Sequence, residues 1–172
     1  MYELEGTYPN RKSISSNIIK PIEHSKTLYE AAILSDTGAR YGFKICNSMS
    51  QDLFAYLFYF NPAKLTVKAW YLSDVVQKGP LHKKQGKAKG EVREGLDGEP
   101  AFYFTLPSGM PSDCGYVKLF VSTDYLDLAW IEQKKFPLDF ASGIGRMDGH
   151  RECFQIRDWD ALTVVVRTLE AA

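Results

Sequence analysis

A chain of 172 residues that is 45% apolar and 24% charged is long enough to bury one core, and that composition excludes a disordered tail or a fibrous repeat. Lysine plus arginine and aspartate plus glutamate both total 21, so no overall field selects nucleic acid or a membrane, and any electrostatic attraction must be local. Aromatic residues, at 13%, favour strands over helices.

The chain begins MYELEGTYPNRKS, with acids where a secretory leader would place a basic region and an apolar run. This is the start expected of a cytoplasmic protein. TLYEAAIL, further on, can be drawn as a strand or as two turns of helix; strand is the preferred reading. Residues 1–40 are expected to form an extension packed on the domain that occupies 41–172.

From residue 41 the alternation is plain. Tyr41, Phe43 and Ile45 alternate with Gly42, Lys44 and Cys46, the period of a strand with one buried face. Cys46 itself, among apolar neighbours, is expected to be a buried thiol. After a turn at Asn47 to Ser50, Leu53 to Phe60 reads LFAYLFYF, apolar on both faces as in the interior of a sheet. Asn61-Pro62 breaks that run. LTVKAWYL then places Leu65, Val67, Ala69 and Tyr71 on one side and Thr66, Lys68 and Trp70 on the other. Three consecutive antiparallel strands are expected, with the hairpin from Tyr41 to Leu72 at the centre of the domain.

Residues 73–100 hold five glycines, two prolines and many charges, a long connection with room for one weak strand. Strand periodicity resumes in AFYFTL at 101–106 and in YVKLFVST at 116–123, where Val117, Leu119 and Val121 face inward. ALTVVVRTL at 161–169 is the closing strand. The fold class is therefore all-β: a single antiparallel β-sandwich, immunoglobulin-like or C2-like, with few or no helices.

The stretch from Tyr41 to Gln133 also resembles a known family. The carrying residues are Asn47-Ser48, the run from Asp52 to Phe60, Trp70-Tyr71, Phe104-Thr105-Leu106-Pro107, KLFVST at Lys118 to Thr123, then Asp127 and WIEQ at Trp130 to Gln133. In this order they are similar to a small β-sandwich domain found beside caspase-like peptidase domains in mushroom-forming fungi. The resemblance implies an accessory or interaction module and carries over no catalytic residue. In this chain no caspase domain precedes the match, and the central connection is unusually rich in lysine.

That connection holds the sharpest local feature, KGPLHKKQGKAKG, in which Lys78, His82, Lys83, Lys84, Lys87 and Lys89 are interrupted by no acid. It could hold anionic lipid headgroups or phosphates; the ordinary reading is a solvated loop. Trp70 and Trp130 could add a stacking surface. These eight residues are the candidate contacts, with the Trp70 to Gly90 region favoured.

Catalytic and metal patterns find weaker support. His150 to Cys153 lacks the spatial separation of a thiol nucleophile and its base, and no caspase- or papain-type signature occurs. The glycines of SGIGRMDGH lie outside any βαβ unit, so turns explain them better than a dinucleotide does. Asp113, Asp124 and Asp127 are too few for calcium, and the three histidines and three cysteines have no zinc spacing. No catalytic residue, metal or cofactor is assigned. The leading expectation is a non-catalytic interaction or sensing module with a protein partner. A lectin-like or membrane-active sandwich, binding glycan or anionic lipid, is the alternative, and a small hydrolase with a site assembled from distant residues is the third; nucleic acid is not favoured. A free sheet edge would also allow a homodimer.

Overall fold

The alternation after residue 40 becomes strand β5 (Arg40–Asn47) in the computed structural model, with Tyr41, Phe43 and Ile45 buried and Lys44 and Cys46 exposed. The structure describes residues 1–8, 10–35, 38–74, 78–84, 90–95, 100–134 and 158–170. Among these the strands fall into two sheets, and no α-helix occurs. The smaller sheet has the order β2 (Lys12–Ser13), β1 (Tyr2–Glu5), β5, β8 (Gly90–Glu94). The larger has the order β3 (Lys20–Pro21), β4 (Leu28–Leu34), β10 (Trp159–Leu169), β9 (Ser112–Ser122), β6 (Phe54–Asn61), β7 (Thr66–Leu72). Pairing is antiparallel except between β4 and β10, which run parallel. The all-β sandwich-like expectation therefore stands, with that one parallel pair added.

The core lies between the sheets. Tyr41, Phe43 and Ile45 from β5 meet Ala55 and Leu57 from β6, Val117 from β9, Val164 and Val166 from β10, and Ala31 and Ile33 from β4. Each contributes every second residue, as a strand with one face inward must. Val117 is buried, and Leu119 and Val121 are partly buried beside it, as their alternation requires.

Four sequence expectations are corrected. β5 and β6 do not pair: they belong to opposite sheets, so of the three strands expected to pair in succession β6 and β7 alone form a hairpin. Both strands present apolar residues to the same core, and facing each other buries both sets at once. Cys46 is exposed, not buried, because the phase that turns Ile45 inward turns its neighbour outward. AFYFTL is not a strand; it makes one bridge, in which Tyr41 and Phe102 exchange backbone hydrogen bonds of 2.8 and 2.9 Å. Its alternation still holds, with Phe102 and Phe104 partly buried and Tyr103 exposed, since it crosses the gap between the sheets. Residues 1–40, finally, are woven into both sheets: β1 pairs with β5 and β4 with β10. TLYEAAIL is thus a strand, β4.

The other side of β6 carries a second apolar layer. Tyr56 and Phe58 point away from the main core yet are 1% and 0% exposed, and Phe58 packs edge-on to Phe120, ring centres 6.0 Å apart. This explains why β6 is apolar on both faces.

Met1 supplies a stability prediction. Its side chain is buried in the core, its ammonium donates to Asn17 Oδ1 at 3.1 Å, and burial lowers the amine from 8.0 to about 6. Between these values the unfolded chain binds the extra proton, so falling pH favours unfolding. A chain with a free α-amine at Met1 is expected to lose roughly 2–3 kcal/mol of stability as pH falls from above 8 to below 6. Urea titrations across that range should show the loss, and acetylating the amine should remove it while histidine contributions remain.

Candidate functional site

The lysine-rich segment is built on an asparagine. Asn47 ends β5 at 2% exposure, where its Nδ2 donates to the carbonyls of Gln51 (2.9 Å) and Leu81 (2.8 Å) and its Oδ1 accepts the Met49 N–H at 2.9 Å. Leu81 is buried and exchanges backbone hydrogen bonds with Leu53. Asp52 accepts the Lys83 N–H at 2.6 Å and sits 3.3 Å from His82 Nδ1; both contacts hold its carboxyl below the usual range. The Lys84 N–H reaches the Met49 carbonyl at 3.1 Å. Gly90 completes the clamp, since a Cβ there would lie 2.4 Å from the His82 carbonyl oxygen.

Residues 78–84 are therefore pinned by their backbone while the side chains of His82, Lys83 and Lys84 stay exposed. Lys78 lies over the ring of Tyr71, 5.1 Å from its centre. Lys87 and Lys89 lie outside the described residues. Beside the segment is an open cleft of about 600 Å³, lined by Tyr71, Lys78 and β8. It carries Glu91 and Glu94 as well as Lys78 and Arg93, and Lys44 bonds Glu91 at 2.8 Å, so positive charge is not concentrated there. Replacing Asn47 by alanine is expected to cost about 2–3 kcal/mol, because its side chain makes three hydrogen bonds, to Gln51, Leu81 and Met49, each of which contributes roughly 0.5–1.5 kcal/mol. Hydrogen exchange at Leu81 should accelerate more than at Val164; equal effects would mean that Asn47 does not hold the segment.

Trp70 does not form an open stacking surface. β7 has one extra residue opposite β6: Leu57 pairs with Tyr71 and Phe58 with Ala69. That bulge turns both Trp70 and Tyr71 toward the core. Trp70 stacks on Tyr59 with parallel rings 4.9 Å apart and meets Phe102 at 4.1 Å and Phe43 at 5.4 Å. Strict alternation would have placed it outside; the bulge reverses it.

Trp130 is where the sequence suggested, and it has company. After β9, residues 124–133 cross the outer side of β6: the Leu126 N–H donates to the outward-facing Tyr56 hydroxyl at 2.7 Å, and Gln133 exchanges backbone bonds with Val67 on β7. Burial pushes Tyr56 up to about 12, so its hydroxyl stays neutral. Asp127 Oδ1 accepts the Ala129 N–H at 3.1 Å and so starts the 3-10 turn Ala129–Ile131. That turn presents Trp130 at 77% exposure. Trp159, paired with Ser122 at the start of β10, is 65% exposed on the same outer side, and Tyr125 stands against Phe54 with ring centres 5.8 Å apart.

Trp159 is absent from the sequence-derived candidates, although counting back from inward-facing Val164 and Val166 puts every odd position of β10 outside. Asp127 accepts a backbone N–H in its turn, the ordinary work of aspartate there, while Asp113, within β9, accepts the N–H of its neighbour Cys114. Among the described residues no three metal-ligating side chains converge, and no helix is long and apolar enough to cross a membrane. The glycine run 143–149 and His150 to Cys153 lie outside the described residues. The outer side offers large apolar anchors in Trp130 and Trp159. Comparison with family models, with curated proteins and with solved structures finds no match for this chain.

Proposed function

We propose that this domain is a non-catalytic interaction module that docks a protein partner through the outer side of its larger sheet. The observation that carries this reading is the pair of exposed tryptophans, Trp130 and Trp159, held on a rigid 3-10 turn and a strand end. Tryptophan is enriched among the few residues that dominate association energies, because one rigid side chain removes a large apolar area from water. The accessory role implied by the resemblance points the same way. Its proposed place of work is the cytoplasm, since an exposed free thiol such as Cys46 suits a reducing compartment.

The test is affinity capture with the wild-type domain, followed by reconstitution with each purified candidate. Substituting Trp130→Ala and Trp159→Ala together should weaken a genuine complex roughly 30-fold or more, the loss expected of hot-spot residues, with the unfolding midpoint unchanged. A reconstituted complex indifferent to both substitutions would remove the basis of the proposal. Anionic vesicles should bind weakly and equally to wild type and variant.

A further inference from the structure

At the end of the sandwich near the β6–β7 turn, the core face of the larger sheet changes chemistry. Further along, this face is lined by Leu57, Val117 and Val164. Here Asn61, Asp113 and Thr168 come together around a cavity of about 240 Å³, which Tyr103 and Phe104 border on the other side. The topology accounts for the meeting: Asn61 is the last residue of β6, and Asp113 on β9 pairs in register with Thr168 on β10. A sheet end facing only a core would be filled by aliphatic side chains.

The polar groups are partly committed. Asn61 Oδ1 accepts the Lys64 N–H at 2.9 Å, and Asp113 Oδ1 accepts the Cys114 N–H at 2.8 Å. The Asn61 amide donors and the second Asp113 oxygen bond no protein group among the described residues, yet neither is sealed from solvent. Both are therefore open to a ligand. Tyr59, pushed up to about 12 by burial, adds a neutral hydroxyl to the lining.

We propose that this cavity is a saccharide subsite that takes a single neutral hexopyranose unit through Asn61, Asp113 and Thr168, with Tyr103 packed on the sugar's C–H face. A pyranose presents hydroxyls that both donate and accept, next to apolar ring hydrogens, and the cavity offers donors, acceptors and aromatic surface in the same mixture. An anion would meet the Asp113 carboxylate, and a simple cation would meet Lys64, which also lines the cavity. The volume is below the roughly 300–1,000 Å³ of a drug-sized site, which limits it to one ring. The exposed Tyr103 ring carries the Arg40 guanidinium 5.3 Å from its centre, which holds the ring in place.

The experiment titrates the ¹⁵N-labelled domain with the methyl pyranosides of glucose, galactose, mannose and N-acetylglucosamine, and with glucuronate as the anionic comparison. At least one neutral pyranoside should bind in the millimolar range, with shifts centred on Asn61, Thr105 and Asp113. Asp113→Asn keeps the oxygen that accepts the Cys114 N–H but removes the charge, and should weaken binding about tenfold. Tyr103→Ala, at an exposed position, should weaken it with no change in thermal midpoint. Trp130→Ala should leave it untouched, so this site and the protein-docking surface fail independently. Absence of neutral-sugar shifts at the cavity, preference for glucuronate, or full affinity in both cavity variants would each overturn the proposal.

Discussion

Replacing Phe58 by alanine is expected to lower the unfolding free energy by about 3–5 kcal/mol, as large a loss as any truncation in the main core. On the outer face of a two-sheet sandwich such a substitution would ordinarily cost little, since that face meets solvent. Phe58 is nevertheless fully buried and packs on Phe120 beside buried Tyr56. Truncation therefore removes apolar contact and leaves a cavity that neighbours from two flanking strands cannot fill. Tyr116→Ala on the same face, at a residue 38% exposed, should cost much less. Urea denaturation measures both; a loss below about 1 kcal/mol for Phe58→Ala would show that the outer layer adds little stability.

Gly115→Val should be a strongly damaging small-to-large change, at about 3 kcal/mol, the upper part of the usual range for overpacking. Gly115 is buried on the core face of β9, and a Cβ there would lie 2.3 Å from the Tyr59 hydroxyl oxygen and 2.5 Å from its ring. A flexible neighbour would swing aside at little cost. Tyr59 cannot, because its ring is stacked on Trp70 and meets Phe104 edge-on at 5.9 Å. The glycine thus allows the aromatic cluster to lie flat against the sheet. A double-mutant cycle separates this from a general loss of strand preference: with Tyr59→Ser present, Gly115→Val should cost little. An undiminished cost would place the origin of the effect elsewhere.

Legibility followed the reach of the interactions. Inward positions such as Phe43, Ile45 and Val117 could be read from alternation because a strand's side chains change face at every residue, wherever its partners lie. Trp130 was legible as a surface candidate for a similar reason: it follows the strand KLFVST and falls in no apolar period. Trp70 was not, since whether β7 carries a bulge depends on its register with β6, a property of two strands together. The lysine segment was visible as charge, while its anchoring by Asn47 and Asp52 was hidden, because those residues lie about 30 positions earlier and read locally as turn formers.

The sequence by itself determined the class of structure, all-β, together with those inward-facing residues that follow unbroken alternation and a chain without net charge. Those follow from local rules of backbone geometry and hydrophobic alternation. Only the tertiary structure decided which sheet each strand joins, that β4 and β10 run parallel, that Tyr56 and Phe58 on the outer face of β6 are buried, and where Trp159 and the polar cavity at Asp113 are displayed. Each of these depends on contacts between residues far apart in the chain, whose stabilisation appears only when both partners are in place.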